Sequence, residues 1–337
     1  MAKLATNYMG LDLKNPLIIG ASNLTTKPAN AKKLEESGAA AIVYKSLFEE
    51  ELELDALKLS QELDEYDERH AEMINLFPSV DHAGPDEYLY ELQEVVDAVN
   101  IPVIASVNAV KKTMWVEYAQ KIAETGVAAL ELNFYYIPSE MDQTPEAIEE
   151  EQIDILKELK KEINIPISVK ISPYYTNTLN FIKKLDEAGA DAIIMFNRLF
   201  QPEINIETEK NEYPDNFSQS DDKKLSLRFA ALTFDNIKGQ IIASNGIHTG
   251  EDMIKVMLAG ADAVQIVSTL YKNGFDAIPK MLDEVEAWMD KKGYKSIDDF
   301  KGKMSKKNIE DPYAYRRAQY IDILLNSEEI FKYKPQP

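Results

Sequence analysis

Two lysines end runs of apolar residues, AIVYK at Lys45 and ISVK at Lys170, where an ordinary buried strand would end in a neutral side chain. A cation there is costly to bury without an anionic or electron-rich partner. The pair therefore points to such a ligand lying across the strand ends, with an ion pair to a neighbouring carboxylate such as Glu131 as the competing reading. Other polar residues fall at equivalent places: Ala21-Ser22-Asn23, Ser46, Ser106, Asn108, Asn133, Ser172, Asn197-Arg198, Ser244-Asn245-Gly246 and Ser268-Thr269. In SNGIHTGEDM, Gly246 occupies a tight turn before a helix starting near Gly250, and VSTLYKNG sets Ser268 and Thr269 just after an apolar run. Backbone N–H groups of two such loops converge on one anion in many barrels, helped by a helix N-terminus.

Other chemistries are excluded or unsupported. Cys is absent, which removes disulfides, thiolate catalysis and iron–sulfur ligation by this chain. His70, His82 and His248 lack ligand spacing; each is expected to be solvent-exposed, and no metal is expected. Tyr135-Tyr136 and Tyr174-Tyr175 follow two of the apolar runs and form either a stacking wall for a ligand or ordinary packing.

The elements that must position these residues announce themselves by repetition. LEESGAAAIVYKS from Leu34, IAETGVAALELN from Ile122, LDEAGADAIIMFN from Leu185 and VMLAGADAVQIVST from Val256 share one plan. Each is the end of an amphipathic helix, a glycine (Gly38, Gly126, Gly189, Gly260) at the helix stop, and then a continuous apolar strand. A second phrase, VNIPVIASVN and INIPISVKIS, with KGQIIASNGI and NPLIIGAS as variants, interleaves with the first. Together they predict eight strands at Leu17–Gly20, Ala41–Lys45, Val103–Ser106, Ala129–Asn133, Ile167–Lys170, Ala192–Phe196, Ile241–Ser244 and Ala263–Ile266. Runs without polar alternation are buried on both faces, as in parallel sheets. The fold class is therefore α/β, a (β/α)8 barrel of the TIM type forming a single domain over residues 1–337; no GxGxxG fingerprint favours a doubly wound sheet.

Three stretches exceed the bare barrel. Residues 46–100 form an insertion whose stretch from Glu49 to Glu72 holds eleven acids, a solvated helix face rather than a metal cluster. Residues 201–222 form a polar insertion over the barrel mouth, and 291–337 a charged extension with a helical pattern around Tyr315–Leu325. TNYMGLDLKNP predicts an N-terminal hairpin around Gly10 that closes the barrel bottom. With 37 Lys plus Arg against 58 Asp plus Glu, the net charge is −21, which disfavours nucleic-acid and membrane-surface partners. The start lacks the long apolar stretch of a signal peptide and no run is long enough to span a bilayer, so a cytoplasmic location is expected.

The ordered set KNPLIIGAS, AIVYKS, Asn75-Leu76-Phe77, ALELN, ISVKISPY, MFNR, IIASNGIHTGEDMIKVMLAGADAVQIVST and GYKSIDDFKG, from Asn15 to about Lys303, resembles the dihydroorotate dehydrogenases, especially their soluble class. The resemblance implies an FMN-binding barrel that oxidises dihydroorotate to orotate in pyrimidine biosynthesis by hydride transfer to flavin N5. It also implies a homodimer; the electron acceptor is not readable. By position, Lys45 matches the lysine between flavin and pyrimidine, and Lys170 the one beside the flavin N1 and C2 oxygen. Ala21, Ser22, Ser46 and Asn108 match surroundings of the ring or ribityl chain. Asn245-Gly246 replaces a glycine pair, and Ser268-Thr269 matches the second phosphate loop. Asn75, Asn133 and Asn197 match asparagines that hydrogen-bond the pyrimidine, Asn133 and Asn197 also bordering the flavin.

The departures are specific. Where soluble relatives place a catalytic Cys and membrane-linked ones a Ser, this loop reads Asn133-Phe134-Tyr135-Tyr136-Ile137-Pro138, so Tyr136 stands at the base position. Arg198 replaces a small hydroxyl residue and is available to grip a carboxylate, while Phe77 enters a lid usually rich in small residues. The alternatives are an FMN oxidoreductase on another dihydropyrimidine, a flavin-binding relative without turnover, and a lyase using Lys45 or Lys170 as a Schiff-base amine.

Overall fold

The computed structural model describes residues 3–50, 86–108, 112–138, 140–199, 201–212 and 217–315, with Ile321 and Leu325. Among these, the barrel strands are β3 (Leu17–Ile19), β4 (Ala41–Val43), β6 (Val103–Asn108), β7 (Ala129–Asn133), β8 (Ile167–Ile171), β9 (Ala192–Met195), β12 (Gln240–Ser244) and β13 (Ala263–Ile266). They are parallel and pair in the order β4-β3-β13-β12-β9-β8-β7-β6, and the pairing of β4 with β6 closes the ring. A two-residue strand, β5 (Leu47–Phe48), continues beside the upper end of β6. All eight expected strands are present, to within two residues at their ends.

Helices cover the outside. They are α1 (Pro28–Glu36), α2 (Asp86–Ala98), α3 (Lys112–Ala123), α4 (Pro145–Glu162), α5 (Thr178–Glu187), α6 (Lys223–Thr233), α7 (Gly250–Ala259), the short α8 (Ser268–Asn273) and α9 (Ala277–Lys292). The four repeat glycines all have positive φ, the left-handed conformation that a helix stop of this type uses. The resulting core has two compartments. Leu17, Ile19, Ile42, Leu130, Leu132, Val169, Ile193 and Val264 face outward and pack with the helices. Ile18, Ala41, Val43, Ile104, Ala129, Ala192, Ile194, Ile242 and Ala263 pack together inside the ring.

The N-terminal strands β1 (Thr6–Tyr8) and β2 (Leu11–Leu13) form the expected hairpin, and Tyr8, Met9 and Leu13 plug the inner cluster from below. The 201–222 insertion carries a second hairpin, β10 (Glu203–Asn205) with β11 (Lys210–Glu212). Within the 46–100 insertion α2 packs Leu92 and Val95 into the core; the acidic stretch beyond Glu50, with Asn75, Phe77, His70 and His82, lies outside the described residues. So does most of Tyr315–Leu325.

Candidate functional site

A strand alternates its side chains, so following the inner row upward by two residues shows what sits above the apolar cluster. The row becomes Lys45, Ser106 and Asn108, Glu131 and Asn133, Lys170, Ser244 and Gln265. The lower inner barrel is mostly Ala, Ile and Val, and the upper one, Gly20 and Phe196 aside, is built of groups that donate, accept or carry charge. The upper ends open into a cavity of about 450 Å³, within the usual size range of small-molecule sites.

Ala21, Ser22, Lys45, Ser46, Asn133, Lys170, Asn197, Arg198, Asn245, Gly246, Ser268 and Thr269 all line this one cavity, as their strand-end positions predict. Lys170 forms its floor. Its Nζ donates to Gln265 Oε1 at 3.2 Å and lies 3.8 Å from Glu131 Oε1, so the carboxylate partner is real and the lysine faces the cavity as well. On the adjacent wall, the Ser46 and Ser106 hydroxyls share a hydrogen bond at 2.7 Å, and Asn133 Nδ2 donates to Ser46 at 3.5 Å. The Asn133 Oδ1 and Ser22 Oγ atoms are buried without a hydrogen-bond partner. Buried polar atoms are rarely left unpaired, and both of these belong to residues that line the cavity. Asn197 donates to the Phe134 and Lys170 carbonyls, each at 3.4 Å.

The opposite end is made of loops. Gly246 has φ +68°, and a Cβ on it would stand 2.3 Å from the backbone nitrogen of Lys223, so only glycine lets α6 approach this turn. Asn245, also at positive φ, is fixed by donation from Nδ2 to the Phe196 carbonyl at 2.7 Å. Thr269 donates to the Ile247 carbonyl at 2.5 Å, and Ser268 Oγ accepts from the Ser218 N–H at 3.0 Å. These bonds brace the two loops and the end of the 201–222 insertion into one unit, whose Phe217 stacks on Tyr271 at the cavity edge. Most N–H groups at the start of α7, the helix expected to help hold an anion, are already engaged within the chain. Asp252 accepts from the His248 and Thr249 N–H groups, Thr249 accepts from Asp252, and Glu284 accepts from Gly250.

Contrary to expectation, His248 is not a solvent-exposed histidine. It is half-buried between these loops, with Nε2 2.9 Å from the Ser218 carbonyl and Nδ1 3.2 Å from the Thr269 hydroxyl. Burial, then the nearby Lys272 charge, lowers its pKa. For Asp252, burial raises the pKa but the Lys223 hydrogen bond and the His248 N–H outweigh it, giving a net lowering.

Three expected site residues stand apart from this picture. The Tyr135 N–H closes a tight turn on the Asn133 carbonyl, which swings Tyr136 away from the lysines; its hydroxyl donates to Gln143 and its ring lines adjoining cavities of about 630 and 410 Å³. Asn108 lines the smaller of these with Asn133, so Asn133 is the partition between the two spaces. Arg198 lines the main cavity but is paired with Asp222 of the insertion, leaving its buried Nε without a partner. Tyr175 resolves as packing, stacked on Phe181 at 4.1 Å and bonded to Gln152, and burial raises its pKa. Gln265 was missed, although its two-residue offset from Ala263 marks it as inward-facing; Phe217, Ser218 and Tyr271 carried no such signal.

A parallel barrel with a lysine-floored cavity at the carboxyl ends of its strands has the layout of a small-molecule enzyme. The profile of the family described as dihydroorotate dehydrogenase matches residues 3–289. The chain belongs to that family, and with it to the flavin-dependent oxidoreductases that act on CH–CH bonds. Similar proteins include the catalytic subunits of dihydroorotate dehydrogenase B (NAD(+)) from Methanocaldococcus jannaschii and Thermoplasma acidophilum. The first is 27% identical over 85% of this chain and 93% of its own length; the second is 28% identical over 90% and 99%. Dihydroorotate dehydrogenase A (fumarate) of Lactobacillus helveticus is 27% identical over 90% of this chain and 99% of its own length. Among the described residues no helix is long and apolar enough to cross a membrane.

Proposed function

We propose that this chain binds FMN in the 450 Å³ cavity and oxidises dihydroorotate, or a closely related dihydropyrimidine acid, within it. The observation that carries the reading is the convergence on one cavity of two strand-end lysines with the unpaired Asn133 Oδ1 and Ser22 Oγ. Bound FMN would supply the two-electron acceptor that no amino-acid side chain provides. The chain's own residues supply the rest. Lys170 holds positive charge on the floor, where negative charge develops on a reduced ring. Lys45, Asn133 and Asn197 border the substrate, with Asn75 assigned to the same edge. Asn245-Gly246 and Ser268-Thr269 take the phosphate end. Arg198 Nε offers a donor to a substrate carboxylate beside its bond to Asp222.

Tyr136 acts as the proton acceptor only if residues 134–138 re-aim, because its hydroxyl is engaged by Gln143. The same placement favours, as second reading, a flavin-binding relative with little turnover on dihydroorotate. The lysine-lyase alternative, with Lys45 or Lys170 as amine, is disfavoured by membership of a flavin-dependent oxidoreductase family. The relatives' names carry NAD(+) and fumarate, and either acceptor class, with a homodimeric assembly, belongs to this proposal.

The test is stopped-flow reduction of the FMN-loaded protein by dihydroorotate and by dihydrouracil, which lacks the carboxylate. Faster bleaching by dihydroorotate, lost in Arg198→Ala, supports the reading. Equal rates, or none with either, move it to another substrate.

A further inference from the structure

Among the described barrel-strand residues Glu131 is the one inward carboxylate of the upper half, and no step proposed above uses it. Its side chain is fully buried and does not reach the cavity. One oxygen accepts from Gln265 Nε2 at 2.6 Å, and the other has no hydrogen bond, with Lys170 Nζ 3.8 Å away. Gln265 turns its amide oxygen to the same ammonium at 3.2 Å, so Glu131, Gln265 and Lys170 close a triangle just under the cavity floor. Below the triangle lies the buried Tyr8, whose pKa is raised by burial and then by Glu131, with the Ser168 hydroxyl opposing. Among the described residues Lys170 and the Gln265 amide compensate this carboxylate, and a buried charge is tolerated only where such compensation exists.

We propose, building on the flavin reading above, that Glu131 is a positioning residue that offsets the Lys170 charge beneath the bound flavin and so sets the balance between its two redox states. Lys170 alone would present a full positive charge to the ring and favour the electron-rich state. Glu131 behind it subtracts from that field, because interactions in a dry site are weakly screened. Gln265 bridges the two with its donor toward the carboxylate and its acceptor toward the ammonium, which fixes Lys170 Nζ at the floor. The chain thereby binds oxidised and reduced FMN more evenly than one lysine would allow, and the reduced protein gives up its electrons more readily to an acceptor.

The experiment measures the FMN midpoint potential by equilibrium dye reduction, and the affinity of apoprotein for oxidised FMN, in wild type, Glu131→Gln and Glu131→Asp. Glu131→Gln keeps shape and the Gln265 bond but removes the charge; Glu131→Asp keeps the charge and shortens the arm. The expected result is a Glu131→Gln potential raised by about 30 mV for each tenfold gain in preference for reduced FMN, with at least one such tenfold step. Oxidised FMN affinity stays within about threefold, and Glu131→Asp stays near wild type. An unmoved Glu131→Gln potential, or an equal shift in Glu131→Asp, overturns the inference and leaves the flavin reading standing. Wild type that takes up no FMN overturns both.

Discussion

The lower and upper halves of the barrel interior are built on the same eight strands, two residues apart, and share almost nothing chemically. Below, Ile18, Ala41, Ile104, Ala129, Ala192, Ile242 and Ala263 fill a narrow ring that the Tyr8 hairpin seals. Above, Lys45, Asn133, Lys170 and Gln265 surround an open cavity with Glu131 beneath it, and Asn133 Oδ1 and Glu131 Oε1 are buried without a hydrogen-bond partner. A protein that only had to fold would continue the lower pattern upward, since unpaired buried polar groups cost stability. The lower half is where the chain gains stability, and the upper half is where it spends some of it on binding.

Breaking the upper half produces the largest effect. Lys170→Ala is expected to slow flavin reduction by dihydroorotate about 10²–10³-fold in stopped-flow, the usual scale for removing one electrostatic contact to developing charge. It also strands Glu131, so denaturant unfolding is expected to show a loss of about 3 kcal/mol. Glu131→Gln in that background is expected to recover most of the stability and none of the reduction rate, which separates charge balance from chemistry.

Breaking the lower half inverts the outcome. Ile242→Ala, in the sealed ring, is expected to cost about 2–5 kcal/mol in denaturant unfolding while leaving reduction per folded molecule unchanged. A lowered rate at unchanged stability would erase the distinction between the halves. Gly246→Ala is expected to have an intermediate effect. It strains a positive φ and drives a Cβ into the Lys223 backbone, so FMN affinity is expected to fall roughly tenfold in a fluorescence titration.

The smallest effect is the pH dependence of the braced loops. The His248 pKa lies below its ordinary value of 6.5, so the fold favours the neutral ring. Its contribution is fully present above pH 6.5 and is lost as pH falls below that value toward the folded pKa. His248→Gln is expected to flatten this part of a Tm–pH curve by about one or two degrees. An unchanged slope would show that the histidine does not sense folding.

The uneven legibility of the molecule follows the same division. The eight strands could be read because each is announced by a helix-stop glycine and stays apolar on both faces. Lys45 and Lys170 could be read because a lysine ending such a strand has few innocent explanations. Residues positioned by strands were therefore visible, and Gln265 would have been found by carrying the two-residue alternation through the last strand. Residues positioned by loops were not. Tyr136 turns aside on one backbone hydrogen bond after β7, Arg198 is captured by Asp222 from the insertion, and His248 is enclosed by Ser218 and Thr269. None of these contacts has a period or spacing in the chain that would announce it.

The most direct measurement is an anaerobic titration of the purified, FMN-loaded protein with dihydroorotate, following flavin absorbance and released orotate together. Full bleaching at one equivalent, with one orotate formed per FMN, is the expected result. A yellow protein that remains oxidised through excess dihydroorotate would contradict it.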